Sequence, residues 1–337
     1  MSLQHDYAVI RENAALGAVS ARRQIAVAGP DRATYLQGLL TNDIVGLLPG
    51  SGCYSAWLTA QGRMLTDLHV LQSDGMLLLD VPAEQEEATF ARLDQFLFAE
   101  DVRLESLAGT LAGVWLHGPR AAEVLEAVLP GTGGLSGWAD YHHETAAFGD
   151  APVSVARIDQ VGVPGYCVFV DAGREAALRG ALEAAGAAPV SGAALAAARI
   201  EAGYPVFGVD MDDETIPLEA GIETSAISFT KGCYVGQEII IRVLHRGGGR
   251  VAKRLVALRI EGGEDAAAAS GSKVFAGERE VGRITSAAHS PRFGAIALAY
   301  VHRDFVAPGT AVAVDGGAGR LAAQVADRPI GVAAAGA

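Results

Sequence analysis

Apolar positions along this chain fall into two rhythms. Short unbroken runs, Ile25-Ala-Val-Ala and Val114-Trp-Leu, read as buried strands. Each leads into a Gly-Pro pair, Gly29-Pro30 and Gly118-Pro119. Each pair leads into a stretch with apolar residues three or four apart, Asp31–Leu40 and Arg120–Leu129, which reads as a helix. Proline in a first helical turn forfeits no hydrogen bond that the helix needs.

The segments downstream of the two copies are also alike. Cys53–Leu58, Met64–Leu71 and Met76–Val81 read as strands before a helix across Glu84–Phe98. In the second copy Val153–Ile158 and Tyr166–Val170 precede a helix from Arg174 to Ala185. Strand–helix–strand–strand–helix used twice predicts two related α+β units of ferredoxin-like type, with a cleft between them. Past Arg250 the texture changes to short β-rich runs, Arg254–Ile260, Lys273–Ala276, Glu280–Ala287, Ala295–Val301 and Ala311–Val314, which predict a small barrel or sandwich. Gly247-Gly-Gly249 reads as a hinge into it, Glu261–Ser272 as a flexible connection, and Val332–Ala337 as a loose tail. The expected division is 1–107, 108–246 and 250–330, with the first two free to interleave.

Composition narrows the class. Half of the 337 residues are hydrophobic and the net charge is −13, as in a globular protein with a large core. The acidic balance argues against phosphate-driven nucleic-acid binding. No apolar run reaches the length of a membrane helix, and Met1–Asp6 lacks the basic and apolar regions of a secretory signal. Three scattered cysteines, Cys53, Cys167 and Cys233, fit a reducing compartment, so a cytoplasmic location is expected and no metal site is. His142-His143 looks like a metal pair, but neighbours on a strand point to opposite faces, and the pair reads as solvated loop.

The least ordinary stretch is Lys231-Gly-Cys-Tyr-Val-Gly-Gln-Glu238. Only three of the 26 cationic residues are lysines, and Lys231 is the sole one in the first 250 positions. A lysine in so arginine-rich a chain suggests a need for a compact ammonium in place of a planar fork. Gln237–Leu244 has helical spacing, with Glu238 and Arg242 one turn apart. A cysteine ahead of a helix and beside an ammonium has its thiolate favoured, so Cys233 is the candidate reactive thiol and Lys231 its partner. Cys53 and Cys167 sit in apolar strand-like runs and read as structural. Glu201, at the end of an Ala-rich helix and before Gly203 and Pro205, is a candidate bidentate acceptor for a heterocycle; pairing with Arg199 is the plainer alternative.

At these residues the chain resembles the YgfZ family of folate-binding proteins, relatives of the aminomethyltransferase GcvT. Lys231–Glu238 matches the family's Lys-Gly-Cys-Tyr-x-Gly-Gln-Glu signature in full. Leu40-Thr-Asn-Asp43, Gly62-Arg63 through Asp67, and Arg199–Pro205 extend the likeness and are shared with GcvT. The resemblance implies a GcvT-like ring of three domains, two α+β units and a C-terminal β-barrel, around a folate channel. It implies tetrahydrofolate, or a one-carbon derivative, as cofactor. It implies Glu201 as the pterin anchor, Cys233 as the residue of activity, and iron–sulfur enzymes as partners, including tRNA-modifying ones. Asp67 falls where GcvT carries two adjacent acids, and Thr66 replaces the other. That departure favours an accessory role in assembly or repair of iron–sulfur enzymes over aminomethyl transfer through Asp67 and Glu201. A non-catalytic interaction scaffold is the third reading. Arg242 is expected to orient Glu238 or meet the folate's glutamate tail.

Overall fold

The computed structural model describes residues 2–246, 248–262, 268–317 and 319–331. The tail Val332–Ala337, and parts of the expected hinge and of the Glu261–Ser272 connection, lie outside the described residues. Two mainly antiparallel sheets and a closed six-stranded barrel make up the architecture. In the first sheet the order is Ser51–Leu58, Met64–Ser73, Met76–Pro82, Arg22–Ala28, Arg103–Ser106. The second repeats it as His143–Phe148, Ala151–Arg157, Gly165–Asp171, Leu111–His117, with Ala188–Pro189 at the edge. One strand, Ala15–Leu16, is inserted between the last two, so the start of the chain belongs to the second sheet.

The duplicated Gly-Pro turn has one physical cause. Gly29 and Gly118 have φ of 106° and 125°, and a Cβ on either would stand 2.1 Å from a carbonyl oxygen, that of Asp101 or Asn13. Helices Arg32–Leu39 and Glu86–Gln95 cover one face of the first sheet, and Ala121–Val128 and Glu175–Ala184 one face of the second. The uncovered faces turn toward each other and meet through Leu71, Leu78, Trp115, Cys167 and Phe169.

Five strands lie outside those expected from the sequence: Ala15–Leu16, Arg103–Ser106, His143–Phe148, Ala188–Pro189 and Arg320–Ala326. His143–Phe148 is an edge strand whose side chains are mostly solvent-facing, so it lacks an apolar signature. His143 opens that strand and is buried, its Nε2 lying 3.3 Å from Ser73 Oγ, so the solvated-loop expectation is corrected. Burial pushes its imidazole below the usual range.

In the barrel, Val256, Leu258, Ile284, Ala297 and Val325 fill the interior. Outward-facing Leu255, Ala257, Ile296 and Leu298 pack on Ile200, from the helix Gly192–Ala202. Polar groups fix this docking. Arg199 Nη1 donates to Asp210 Oδ2 at 2.8 Å, while Asp210 Oδ1 accepts from the barrel hydroxyls of Thr285, at 2.6 Å, and Ser286. No helix among the described residues is long and apolar enough to cross a membrane.

The Asp210 side chain is fully buried, and Asp210→Ala leaves the Arg199 charge without its carboxylate and takes an acceptor from two hydroxyls. The loss should be about 3–5 kcal/mol, the usual result of removing one partner from a buried ion pair. Urea unfolding reads it directly; a midpoint equal to that of wild type would show that the pair does not hold the barrel.

Candidate functional site

Beyond the apolar meeting point, the inner face of the first sheet is polar. Strand register sets Asp80 opposite Gln24 on one side and His69 on the other, with Tyr54 opposite His69. Asp67 and His69 share a face by the two-residue period of the strand, as do Arg22 and Gln24. Arg22 is the hub. Its Nε donates to Asp80 Oδ2 at 2.6 Å, its Nη2 to the Asp80 carbonyl at 2.6 Å, and its Nη1 approaches Asp67 Oδ1 at 3.4 Å. Gln24 and His69 complete the shell of Asp80 at 2.9 Å each.

Burial opposes both charges, and each partner outweighs that penalty for the other. The Asp80 carboxyl stays below its usual range because of Arg22, His69 and Gln24, and the Arg22 guanidinium is raised by Asp80 and Asp67. His69 is pushed down by burial and by Arg22, so a neutral ring donates from Nδ1. Burial and the adjacent Asp67 raise the Tyr54 phenol, which donates to Asp67 Oδ2 at 2.8 Å. Asp67 thus receives two donors and keeps acceptor capacity to spare.

Arg22, Tyr54, Asp67 and His69 line a cavity of about 170 Å³, together with Tyr141, Tyr204, Asp140, Asp159 and the segment around Ile222 and Ser225. The volume is below the roughly 300–1,000 Å³ of sites that engulf a drug-sized ligand. No barrel residue lines it among the described residues.

Of the five residues singled out from sequence, only Asp67 reaches this cleft. Glu201 is elsewhere and fully engaged. It accepts from Tyr7 Oη at 2.7 Å, from Arg11 Nη2 and from the barrel hydroxyl of Ser290. The expectation that it anchors a ligand ring is therefore corrected: the opening helix Leu3–Glu12 supplies two donors one turn apart, and Glu201 rivets that helix to the barrel. Arg242 lies on an exposed helix face, pairs with Glu238 at 2.7 Å, the spacing expected, and is absent from the cleft lining.

Lys231 lies across the first sheet from the cleft. Tyr54 faces the cleft, whereas its neighbour Cys53 packs under the helices, and Lys231 acts on that covered side. The Lys231 Nζ donates to the carbonyls of Gln37, Leu40 and Asn42 at 2.7, 2.7 and 2.8 Å. All three ammonium protons are used, which a planar guanidinium cannot copy at converging acceptors. Burial pushes this ammonium down to about 8, against the pull of Asp43 and Cys53. The role expected for Lys231, beside the thiol, is thus replaced by a clamp on the end of helix Arg32–Leu39 and on the Leu40–Asp43 turn. Thr41 and Asn42 of that turn reach across to the carbonyls of Ala226 and Ser225 at 2.7 and 3.0 Å. Gly236 seats the loop against the sheet, since a Cβ there would be 2.5 Å from the Thr59 carbonyl oxygen. Cys233 is left exposed ahead of the helix Gln237–Arg246 and is absent from the cleft lining, which corrects its placement at the channel.

Two family models match the chain, the GCVT N-terminal domain over residues 1–231 and the glycine cleavage T-protein C-terminal barrel domain over residues 253–330. The chain belongs to the glycine cleavage T-protein family. The aminomethyltransferase of Rubrobacter xylanophilus is 31% identical over 300 residues, covering 89% of this chain and 79% of that protein. That of Geobacillus kaustophilus is 30% identical over 335 residues, covering 97% and 90%. The glycine cleavage system aminomethyltransferase T from Bartonella henselae shares the fold, with a TM-score of 0.85 at 24% identity over 97% of this chain and 89% of its own.

This T-protein family member carries cleft residues that the sequence reading passed over, Arg22, Tyr54, His69, Tyr141 and Tyr204, with Asp80 buried behind Arg22 and His69. A signal existed in two of the strands. Asp67 and His69 interrupt Met64-Leu-Thr-Asp-Leu-His-Val-Leu71, and Asp80 interrupts Met76-Leu-Leu-Leu-Asp-Val81. Polar side chains inside otherwise buried strands require partners, and the partners mark the site. Tyr141 and Tyr204 come from loops, where no periodicity points to them.

The three thiols differ in accessibility. Burial pushes Cys53 up to about 12, and Cys167 is sealed in the contact between the sheets. Iodoacetamide at pH 8 should therefore label Cys233 first, and Cys53 and Cys167 only on unfolding. A mass-spectrometric time course with Cys233 slowest would contradict its exposure.

Proposed function

We propose that this T-protein family member binds a reduced folate, tetrahydrofolate or a one-carbon derivative, in the cleft between its two sheets. The observation that carries the reading is Asp67, with spare acceptor capacity, in a cavity flanked by three tyrosines. A reduced pterin head is flat and presents an amino-pyrimidine edge, so it needs an acceptor for that edge and aromatic or phenolic walls. The cleft supplies both groups. Tyr54 and Arg22 orient Asp67, His69 adds a neutral ring, and the glutamate tail stays outside. When bound, the folate supplies an acceptor for one carbon at its reduced ring nitrogens.

The role we assign is that of a cytoplasmic accessory factor in assembly or repair of iron–sulfur enzymes, including those that modify tRNA. Support comes from the full Lys231–Glu238 signature and from Cys233, exposed on a loop whose lysine is spent on holding it in place. Cys233 is exposed and absent from the lining of the cleft. Direct attack of the thiol on a cleft-bound one-carbon unit is therefore disfavoured, and contact of Cys233 with a partner protein is favoured. A second reading, folate-dependent aminomethyl transfer with Asp67 in the cleft, is favoured by the names of the relatives. Thr66 in place of a second acid weighs against it.

Isothermal titration with tetrahydrofolate tests the cleft. Asp67→Asn should bind roughly tenfold or more weakly, because one acceptor edge becomes mixed, while Cys233→Ser binds as wild type does. Equal affinity in Asp67→Asn would remove Asp67 from the site. Complementation of a strain lacking its YgfZ-type protein tests the role. Cys233→Ser should fail to restore activity of an iron–sulfur tRNA-modifying enzyme. Methylene-tetrahydrofolate and ammonia formed from an aminomethyl donor at full rate by Cys233→Ala would establish the second reading instead.

A further inference from the structure

Tyr141 has a φ of 64°, the single left-handed backbone among the described non-glycine residues. For a bulky aromatic residue this conformation is disfavoured, and it persists only where the surroundings over-determine it. Here they do. The Tyr141 N–H donates to the Arg157 carbonyl at 2.7 Å, and the Arg157 N–H returns to the His142 carbonyl at 2.9 Å. The His143 N–H crosses to the Gly50 carbonyl of the other unit at 2.9 Å. Space is made for the side chain as well. A Cβ on Gly52, inside its strand, would lie 3.2 Å from the Tyr141 Cβ and 2.3 Å from the Val70 carbonyl oxygen.

These constraints place a ring in the cleft. Tyr141 lines the cavity, its ring centroid 5.8 Å from that of His69. Among the described residues no protein group hydrogen-bonds its hydroxyl, although burial and the neighbouring Tyr204 raise that phenol and keep it a donor. Asparagine or glycine would adopt the same backbone without strain and serve as well if only a turn were needed.

We infer that Tyr141 is a specificity-determining residue of the cleft, held in a disfavoured backbone so that its ring and free hydroxyl meet the flat head of the ligand. The inference rests on the reading that the cleft binds a reduced folate. It separates stability from binding: relieving the strain should leave the fold intact or firmer and weaken the ligand.

The test is calorimetric titration of tetrahydrofolate, and of tetrahydropterin without the tail, into wild type, Tyr141→Asn and Tyr141→Phe, with melting temperatures for each. Tyr141→Asn should melt at or above wild type and bind both ligands about tenfold more weakly, as expected for one lost aromatic contact. Tyr141→Phe, which keeps the ring, should fall between. Wild-type affinity in both variants would overturn the inference alone. So would a loss confined to the tailed ligand, or a melting temperature of Tyr141→Asn that falls together with affinity, because the residue would then be structural. Wild type that binds neither ligand would overturn the folate reading and this inference with it.

Discussion

A guanidinium buried between two sheets must be answered by carboxylates, and the pairing of Arg22 with Asp80 is the constraint on which the inner face of the first unit depends. Removing either charge from water is costly, and the pair is tolerable only when the remaining donors and acceptors are also engaged. Gln24 and His69 engage Asp80 from the two flanking strands, so the polar strip spans three strands at one level. That leaves Arg22 one direction in which to reach further, toward Asp67. Tyr54 reaches the same carboxyl from the opposite side. The outcome is an acid positioned by rigid strands but not saturated. An acid on a loop with the same two neighbours would lack that definition. Polar satisfaction in the core and readiness for a ligand are here one arrangement.

The same sheet separates two chemistries. Its inner face carries the cleft, and its outer face carries the helix end gripped by Lys231. The Lys-Gly-Cys-Tyr loop is a structural device at its lysine, at its buried Tyr234 and at Gly236, and presents the Cys233 side chain to solvent. The signature thus encodes both the support and the supported group. This is why a motif read only for reactivity put Lys231 in the wrong role. A lysine among so many arginines did mark a site needing a compact cation, but the need came from three converging carbonyls.

Much of the architecture was legible in the chain. Duplicated strand, Gly-Pro turn and helix follow from apolar period and from steric demands that act locally, at Gly29 and Gly118. The barrel followed from short β-rich runs. The edge strand His143–Phe148 was not legible, because solvent on most of its side chains erases the pattern. Glu201 illustrates a different limit. Its place at a helix end was read well, but its partners Tyr7, Arg11 and Ser290 are distant along the chain, and only the fold brings them there. The backbone of Tyr141 is likewise a property of what surrounds it. Local sequence reports what a residue needs; long-range contacts decide whether a neighbour or a ligand supplies it.

The inserted strand Ala15–Leu16 has a consequence for how the chain comes into being. It pairs with Ala188–Pro189, and the helix before it is held by Glu201. On the ribosome, the unit between Arg22 and Ser106 has all its own strands and is free to close early. The strand Ala15–Leu16 can pair on one side once Leu111–His117 has been made, but its neighbour on the other side, Ala188–Pro189, is synthesised much later. The helix Leu3–Glu12 meets Glu201 only after both sheets have been made, so a contact between residues far apart along the chain is among the last to form.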